Sequence, residues 1–142
     1  MHNTLIKARQ RLTEGGYTCV ILKDEREYTS LDRGVKPLIS LIQSGESYLG
    51  AYAADKTVGA GAAHLYVLIG VSEVWANVIS ESALAVLKDN GIGVHYGERV
   101  PYIINRRGDG ICPIESAVRD ARDSRQAYDL ILAALLELQR KL

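Results

Sequence analysis

The segment that most constrains this chain runs over residues 58–69. It is apolar almost all round, carries Gly59-Ala60-Gly61-Ala62-Ala63 near its start and contains one histidine, His64. A helix without a polar face has to be buried, and small side chains at its start let it lie close against a sheet. β-rich runs flank it, residues 47–54 before and residues 73–79 after. Ser80 then caps a helix that runs to about Asn90 and stops at Gly91, and residues 92–96 form a further strand. The order strand–helix–strand–helix–strand implies parallel neighbours joined by right-handed crossovers.

The remaining elements attach to this centre. Leu5, Ala8 and Leu12 recur at helical spacing in residues 4–14, with Thr4 as N-cap and Gly15-Gly16 as the stop. Residues 17–22 and 27–30 read as a hairpin turning through residues 23–26. Gly34-Val35-Lys36-Pro37 opens a helix with an apolar face of Leu38, Leu41 and Ile42, ended by Gly45. Residues 102–104 suggest another strand, Cys112-Pro113 opens a short helix, and Ser124 opens the last one. The expected architecture is one α/β domain over residues 1–142, its mixed sheet parallel in the centre. Apolar residues make up 47% of the chain, enough for a core at this length.

Charge and cysteine content narrow the function classes. The 17 basic and 17 acidic residues cancel, so no bulk field exists to hold a nucleic acid or an anionic membrane. The longest apolar stretch is too short and too glycine-rich for a membrane span, and residues 1–7 lack the apolar core of a signal peptide. Cys19 and Cys112 are the only cysteines. Two cysteines make no disulfide framework, and a cytoplasmic location is the expectation.

In open α/β sheets ligands bind beyond the carboxyl ends of the parallel strands. Two expected strand-to-helix junctions fall there, Asp55-Lys56-Thr57 and Ser80-Glu81-Ser82. Each offers free N–H groups and the positive end of a helix dipole. Asp55 and Lys56 read as ligand contacts or as surface charges, and Ser80 as a ligand donor or as a cap. Residues 105–115 place Asn105, Arg106 and Arg107, a Gly-Asp-Gly turn and Cys112 in one loop before a helix. Arginine grips carboxylate and phosphate bidentately, so Asn105 and Arg106 are candidates to close over a ligand. Cys112 at a helix start has the local field that favours a thiolate nucleophile, while Glu115 three residues on suggests a plain capping box. His64 reads as a core or rim histidine, and His2 as frayed. No P-loop, no Gly-x-Gly-x-x-Gly after a strand and no Gly-x-Ser-x-Gly elbow occurs.

Three stretches together carry a family likeness: Asp55-Lys56-Thr57-Val58-Gly59 with Ala62-Ala63, then Val100-Pro101-Tyr102-Ile103-Ile104-Asn105-Arg106, then Cys112-Pro113-Ile114-Glu115. In order and spacing, from about residue 15 to 130, the chain resembles an uncharacterised prokaryotic family, domain of unknown function 1893. The resemblance implies a cytidine-deaminase-like three-layer α/β/α fold and no established reaction. In zinc deaminases a metal ligand and a glutamate open one central helix, and a Pro-Cys-x-x-Cys pair opens the next. The corresponding starts here look like residues 55–57 and 80–82, which supply neither imidazole nor thiolate, so no zinc and no other cofactor is expected.

The leading expectation is therefore a deaminase-like domain without the zinc site that binds a nucleotide or a small anionic ligand. Asp55, Lys56, Ser80, Asn105 and Arg106 would contact it, and Cys112 would be the catalytic residue if there is one. Two alternatives stand beside it: a non-catalytic regulatory or scaffold module forming a homodimer through its terminal helices, and thiol chemistry at Cys112.

Overall fold

Burial of the central helix organises the molecule. The computed structural model describes residues 1–141. Its elements are α1 (Asn3–Gly15), β1 (Cys19–Lys23), β2 (Arg26–Ser30), α2 (Lys36–Ser44), β3 (Tyr52–Val58), α3 (Ala60–Ile69), β4 (Glu73–Ser80), α4 (Glu81–Asp89), β5 (Gly93–Val100), α5 (Pro113–Ala117) and α6 (Ser124–Arg140). Every residue of α3 from Ala60 to Tyr66 is buried, as a helix with no polar face requires. The five strands form one sheet in the order β2-β1-β3-β4-β5. β3, β4 and β5 run parallel, while β1 is antiparallel to both β2 and β3.

Side-chain alternation divides the core into two layers. Val20, Leu22, Ala54 and Trp75 point to one face, where Leu5, Ala8 and Leu12 of α1 cover them. Ile21, Ala53, Val74 and Ala76 point to the other, where they meet residues of α2, α3, α4, α5 and α6. The result is the mixed three-layer α/β/α fold, with one helix on one face and five on the other.

Small residues set how closely α3 can pack. A β-carbon at Gly61 would lie 2.4 Å from Ile114 Cγ2 and 3.5 Å from Ile131 Cδ1, so α5 and α6 close on α3 where it lacks a side chain. The turns from β3 into α3 and from β4 into α4 share one sheet edge, since Val58 pairs with Ile79 at the strand ends.

Several boundaries differ from the sequence reading. Residues 47–54 are not one strand: Gly50 takes φ +81°, which no strand residue adopts, and β3 begins at Tyr52. β3 then runs on through Asp55-Lys56-Thr57, so the strand-to-helix junction is Gly59. Residues 102–104 form no strand; Ile104 makes an isolated antiparallel bridge to Ile111. His2, not Thr4, caps α1: its Nδ1 accepts from Thr4 N at 3.1 Å, and its ring stacks on Tyr52 at 4.2 Å. Among the described residues no helix is long and apolar enough to cross a membrane.

The packing at Gly61 gives a test. Alanine gains up to about 1 kcal/mol over glycine in a helix interior, whereas overpacking costs about 1–3 kcal/mol. With Ile114 in the way, Gly61→Ala is expected to lower stability by about 1 kcal/mol net and the melting temperature by about 3 °C. A thermal melt that stays level or rises would show that Ile114 gives way freely.

Candidate functional site

The carboxyl edge of the sheet is organised by Glu115, in the first turn of α5. The spacing from Cys112 suggests a local capping box, but Cys112 makes no side-chain cap bond. Glu115 reaches out of its own helix instead. It is buried, and its Oε2 accepts a short hydrogen bond from Ala60 N at the start of α3. Its Oε1 accepts from Ser82 Oγ at 3.3 Å and from Ile103 N at 3.4 Å. One carboxylate thus joins α3, α4, α5 and the segment after β5, at the end of α3 where the dipole favours negative charge. Gly59 leaves the room it needs: a β-carbon there would sit 2.7 Å from Glu115 Oε2.

A cavity opens on each side of this carboxylate. One, of about 210 Å³, is lined by Thr18, Arg33, Asp55, Lys56, Gly59 and Cys112 among others. The second, of about 680 Å³, is lined by His64, Ser82, Tyr102, Arg119, Arg122 and Ser124 among others. Glu115 lines both.

Asp55 is the chemically distinctive group of the smaller cavity. It sits inside β3, buried on the face that α3 covers. Tyr66 Oη donates to its Oδ2 at 2.6 Å and Thr57 N donates to its Oδ1 at 3.2 Å. Burial pushes its pKa up to about 7, against the opposing pull of the Tyr66 hydroxyl and the Thr57 and Lys56 amides. Cys19 Sγ lies 3.5 Å from Tyr66 Oη. Burial, and then the nearby Asp55, push both the Cys19 thiol and the Tyr66 phenol upward, so Cys19 stays a thiol.

The residues singled out from sequence separate into three groups. Asp55, Lys56 and Cys112 come together on one cavity, and Cys112 is half-buried there. Ser80 is fully buried and lines neither cavity; its Oγ accepts from Ala83 N at 3.2 Å as the cap of α4. Asn105 and Arg106 also line neither cavity. Asn105 holds a tight turn: its Nδ2 donates to Asp109 Oδ1 at 2.9 Å and its Oδ1 accepts from Asp109 N at 3.2 Å. Arg106 is exposed beside it.

Sequence reasoning passes over Arg33, names Ser82 only as part of a helix start, gives Glu115 only a local capping role, and takes His64 for a core or rim residue. His64 Nδ1 lies 3.0 Å from Ser124 Oγ across the larger cavity's wall. Burial lowers its pKa, opposed by Asp123, which favours a neutral ring. The signal for it is a lone histidine in a largely apolar helix.

A deaminase zinc would need soft ligands at the starts of α3 and α4. Those positions hold Gly59, Ala60 and Ser80, Glu81, Ser82, and Glu115 already occupies the α3 end. No cluster of three or more metal-ligating side chains occurs among the described residues. The donor set does not fit zinc.

A family model described as Domain of unknown function (DUF1893) matches residues 7–135. The crystal structure of a DUF1893 family protein from Thermotoga maritima superposes with a TM-score of 0.85 at 24% identity, covering 94% of this chain and 91% of that one. Two partial likenesses are to deaminases. One is a diaminohydroxyphosphoribosylaminopyrimidine deaminase/5-amino-6-(5-phosphoribosylamino)uracil reductase from Thermotoga maritima, with a TM-score of 0.45, 17% identity, and coverage of 66% of this chain and 35% of that one. The other is the dCMP deaminase of cyanophage S-TIM5, with a TM-score of 0.47, 14% identity, and coverage of 70% and 100%. No curated protein matches.

Asp55 makes stability depend on pH in a defined direction. Its folded pKa of about 7 lies above its ordinary value of 3.8, so folding favours the protonated form. The resulting stability is present below about pH 4 and is lost as pH rises towards 7, by up to about 4 kcal/mol. Denaturant midpoints measured at pH 5 and pH 8 should fall in the wild type and differ much less in Asp55→Asn. Equal slopes for the two proteins would place the titration elsewhere.

Proposed function

The chain belongs to the DUF1893 family, and from that premise we propose that it binds a small nucleotide-like anionic ligand at the carboxyl edge of its sheet, in the cavity beside Asp55 and Lys56. One observation carries the reading. Asp55 and Lys56 from β3, Arg33 from the segment before α2 and Cys112 from the start of α5 are distant in sequence yet line one cavity. Neither Lys56 nor Arg33 makes a salt bridge or side-chain hydrogen bond among the described residues, which leaves two cations free for an anionic group.

Asp55 supplies the complementary end. A carboxyl that changes state near neutrality can accept from or donate to the N–H and N edge of a heterocycle. The Tyr66 and Thr57 hydrogen bonds hold it in place before any ligand arrives. A space of about 210 Å³ exceeds one water several-fold and lies below the roughly 300–1,000 Å³ of pockets for drug-sized ligands. It suits one ring with a short polar substituent lying towards the open rim, not an extended polymer.

Thiol chemistry at Cys112 is the second reading, favoured by the same cavity placing the thiol with Lys56 and Arg33. Against it, the Cys112 thiol makes no side-chain hydrogen bond to a base among the described residues. Mere occupancy of the cavity by a ligand needs no thiolate.

Calorimetry with a panel of nucleosides and nucleoside monophosphates tests the proposal. Saturable binding in the range of about 10–100 μM is expected, weakened about tenfold by Lys56→Ala and more by Asp55→Asn. Bound ligand should also slow alkylation of Cys112. Absence of saturable binding across the panel would overturn the proposal. Rapid alkylation at pH 7 that no nucleotide affects would favour the thiol reading instead.

A further inference from the structure

The larger cavity, behind Glu115, is a separate chemical environment. His64 reaches it from α3 and is only 8% exposed. One ring nitrogen, Nδ1, is held by Ser124 Oγ at 3.0 Å. The other, Nε2, has no hydrogen-bond partner among the described residues and is left open to the cavity. Ser82 faces the same space from the first turn of α4, where Ser80 already accepts from Ala83 N.

The charged groups around the cavity divide by whether they are already engaged. Of the carboxylates, Glu115 is taken up by Ala60, Ser82 and Ile103, and Asp123 accepts from Gln126 N at 2.8 Å as the cap of α6. Asp89 is exposed at the end of α4. The guanidinium groups of Arg119 and Arg122, both on the wall, make no salt bridge or side-chain hydrogen bond among the described residues. Glu115 and Asp123 are engaged, Asp89 stands unpaired at the exposed rim, and the two guanidinium groups are the cavity's unpaired cationic donors among the described residues. Guanidinium forks match a tetrahedral oxyanion bidentately. The start of α4 adds N–H groups and a positive dipole end.

From this arrangement we propose a second ligand site, in which Arg119, Arg122, Ser82 and His64 bind the phosphoryl group of a small molecule. The guanidinium groups carry the charge recognition. The backbone N–H groups at the α4 terminus, that of Ser82 among them, meet the phosphoryl oxygens from the opposite wall. The neutral His64 ring, with Nδ1 facing Ser124 as acceptor, turns its Nε2–H towards the cavity as a further donor. With a volume of about 680 Å³ the space holds more than the phosphoryl group, and the remainder of the ligand lies along Tyr102. The site shares Glu115 with the smaller cavity but none of the residues assigned there to the ligand, so each proposal stands or fails alone.

The experiment is an NMR titration of the full chain with inorganic phosphate, read at the His64 ring carbon Cε1 and the Ser82 amide. Both signals should move saturably with a midpoint at or below about 10 mM. The pair Arg119→Ala and Arg122→Ala, which are exposed and leave the core untouched, should weaken the response at least about tenfold. Lys56→Ala, in the other cavity, should leave it unchanged, and an equal concentration of acetate should produce little of it. No saturable shift, a shift insensitive to the arginine pair, or a response carried by Lys56 would each overturn the proposal. An equal response to acetate would overturn the phosphoryl class.

Discussion

The Glu115 carboxylate is the interaction on which the functional edge of this molecule depends. It lies 55 residues from Ala60, whose amide it accepts, and it also holds Ser82 and Ile103. Burying a carboxylate is costly unless its lone pairs are met. Here three donors and the positive end of α3 meet them. Hydrogen bonds to a charged group contribute about 1.5–3 kcal/mol each, and a helix terminus about 0.3–1 kcal/mol, so the set can offset the desolvation. The same group fixes where the segment after β5 lies and thereby keeps the two cavities apart.

That role requires the close packing around α3. Gly59 leaves space for the carboxylate, and Gly61 lets Ile114 approach, so α5 is seated against α3 by shape as well as by charge. Small residues do here what larger ones do elsewhere in a core: they define a distance. The chain belongs to a family with a shared fold and a description that names no chemistry, and the two deaminase likenesses are too weak to lend one. The functional reading therefore rests on side chains at the sheet edge.

Much of the fold was legible because it follows short-range rules. The apolar run of α3, the Ser80 cap, the glycine stops after α1, α2 and α4, and the hairpin of β1 and β2 are all set by residues a few positions apart. The strand β3 was misplaced because its most ligand-like residues, Asp55-Lys56-Thr57, have loop composition and form the end of a strand, where Tyr66 from the next helix meets Asp55. Asp55, Lys56 and Cys112 were legible as candidates from composition and position. Their meeting place was not, since Arg33 and Cys112 reach it through tertiary packing. Glu115 misled for the opposite reason: its spacing satisfies a local capping rule, and the partner that wins is distant. Asn105 and Arg106 stood out by composition, and the structure gives Asn105 a turn to hold.

Amide hydrogen exchange tests the central claim about Glu115 most directly. In Glu115→Ala, compared with the wild type and normalised to the amide of Ile21 in the sheet core, protection of Ala60 N and Ile103 N should drop together. Protection of Ala83 N, which Ser80 holds, should stay. Unchanged protection at Ala60 and Ile103 would contradict the account, because the segments would then be held in place without the carboxylate.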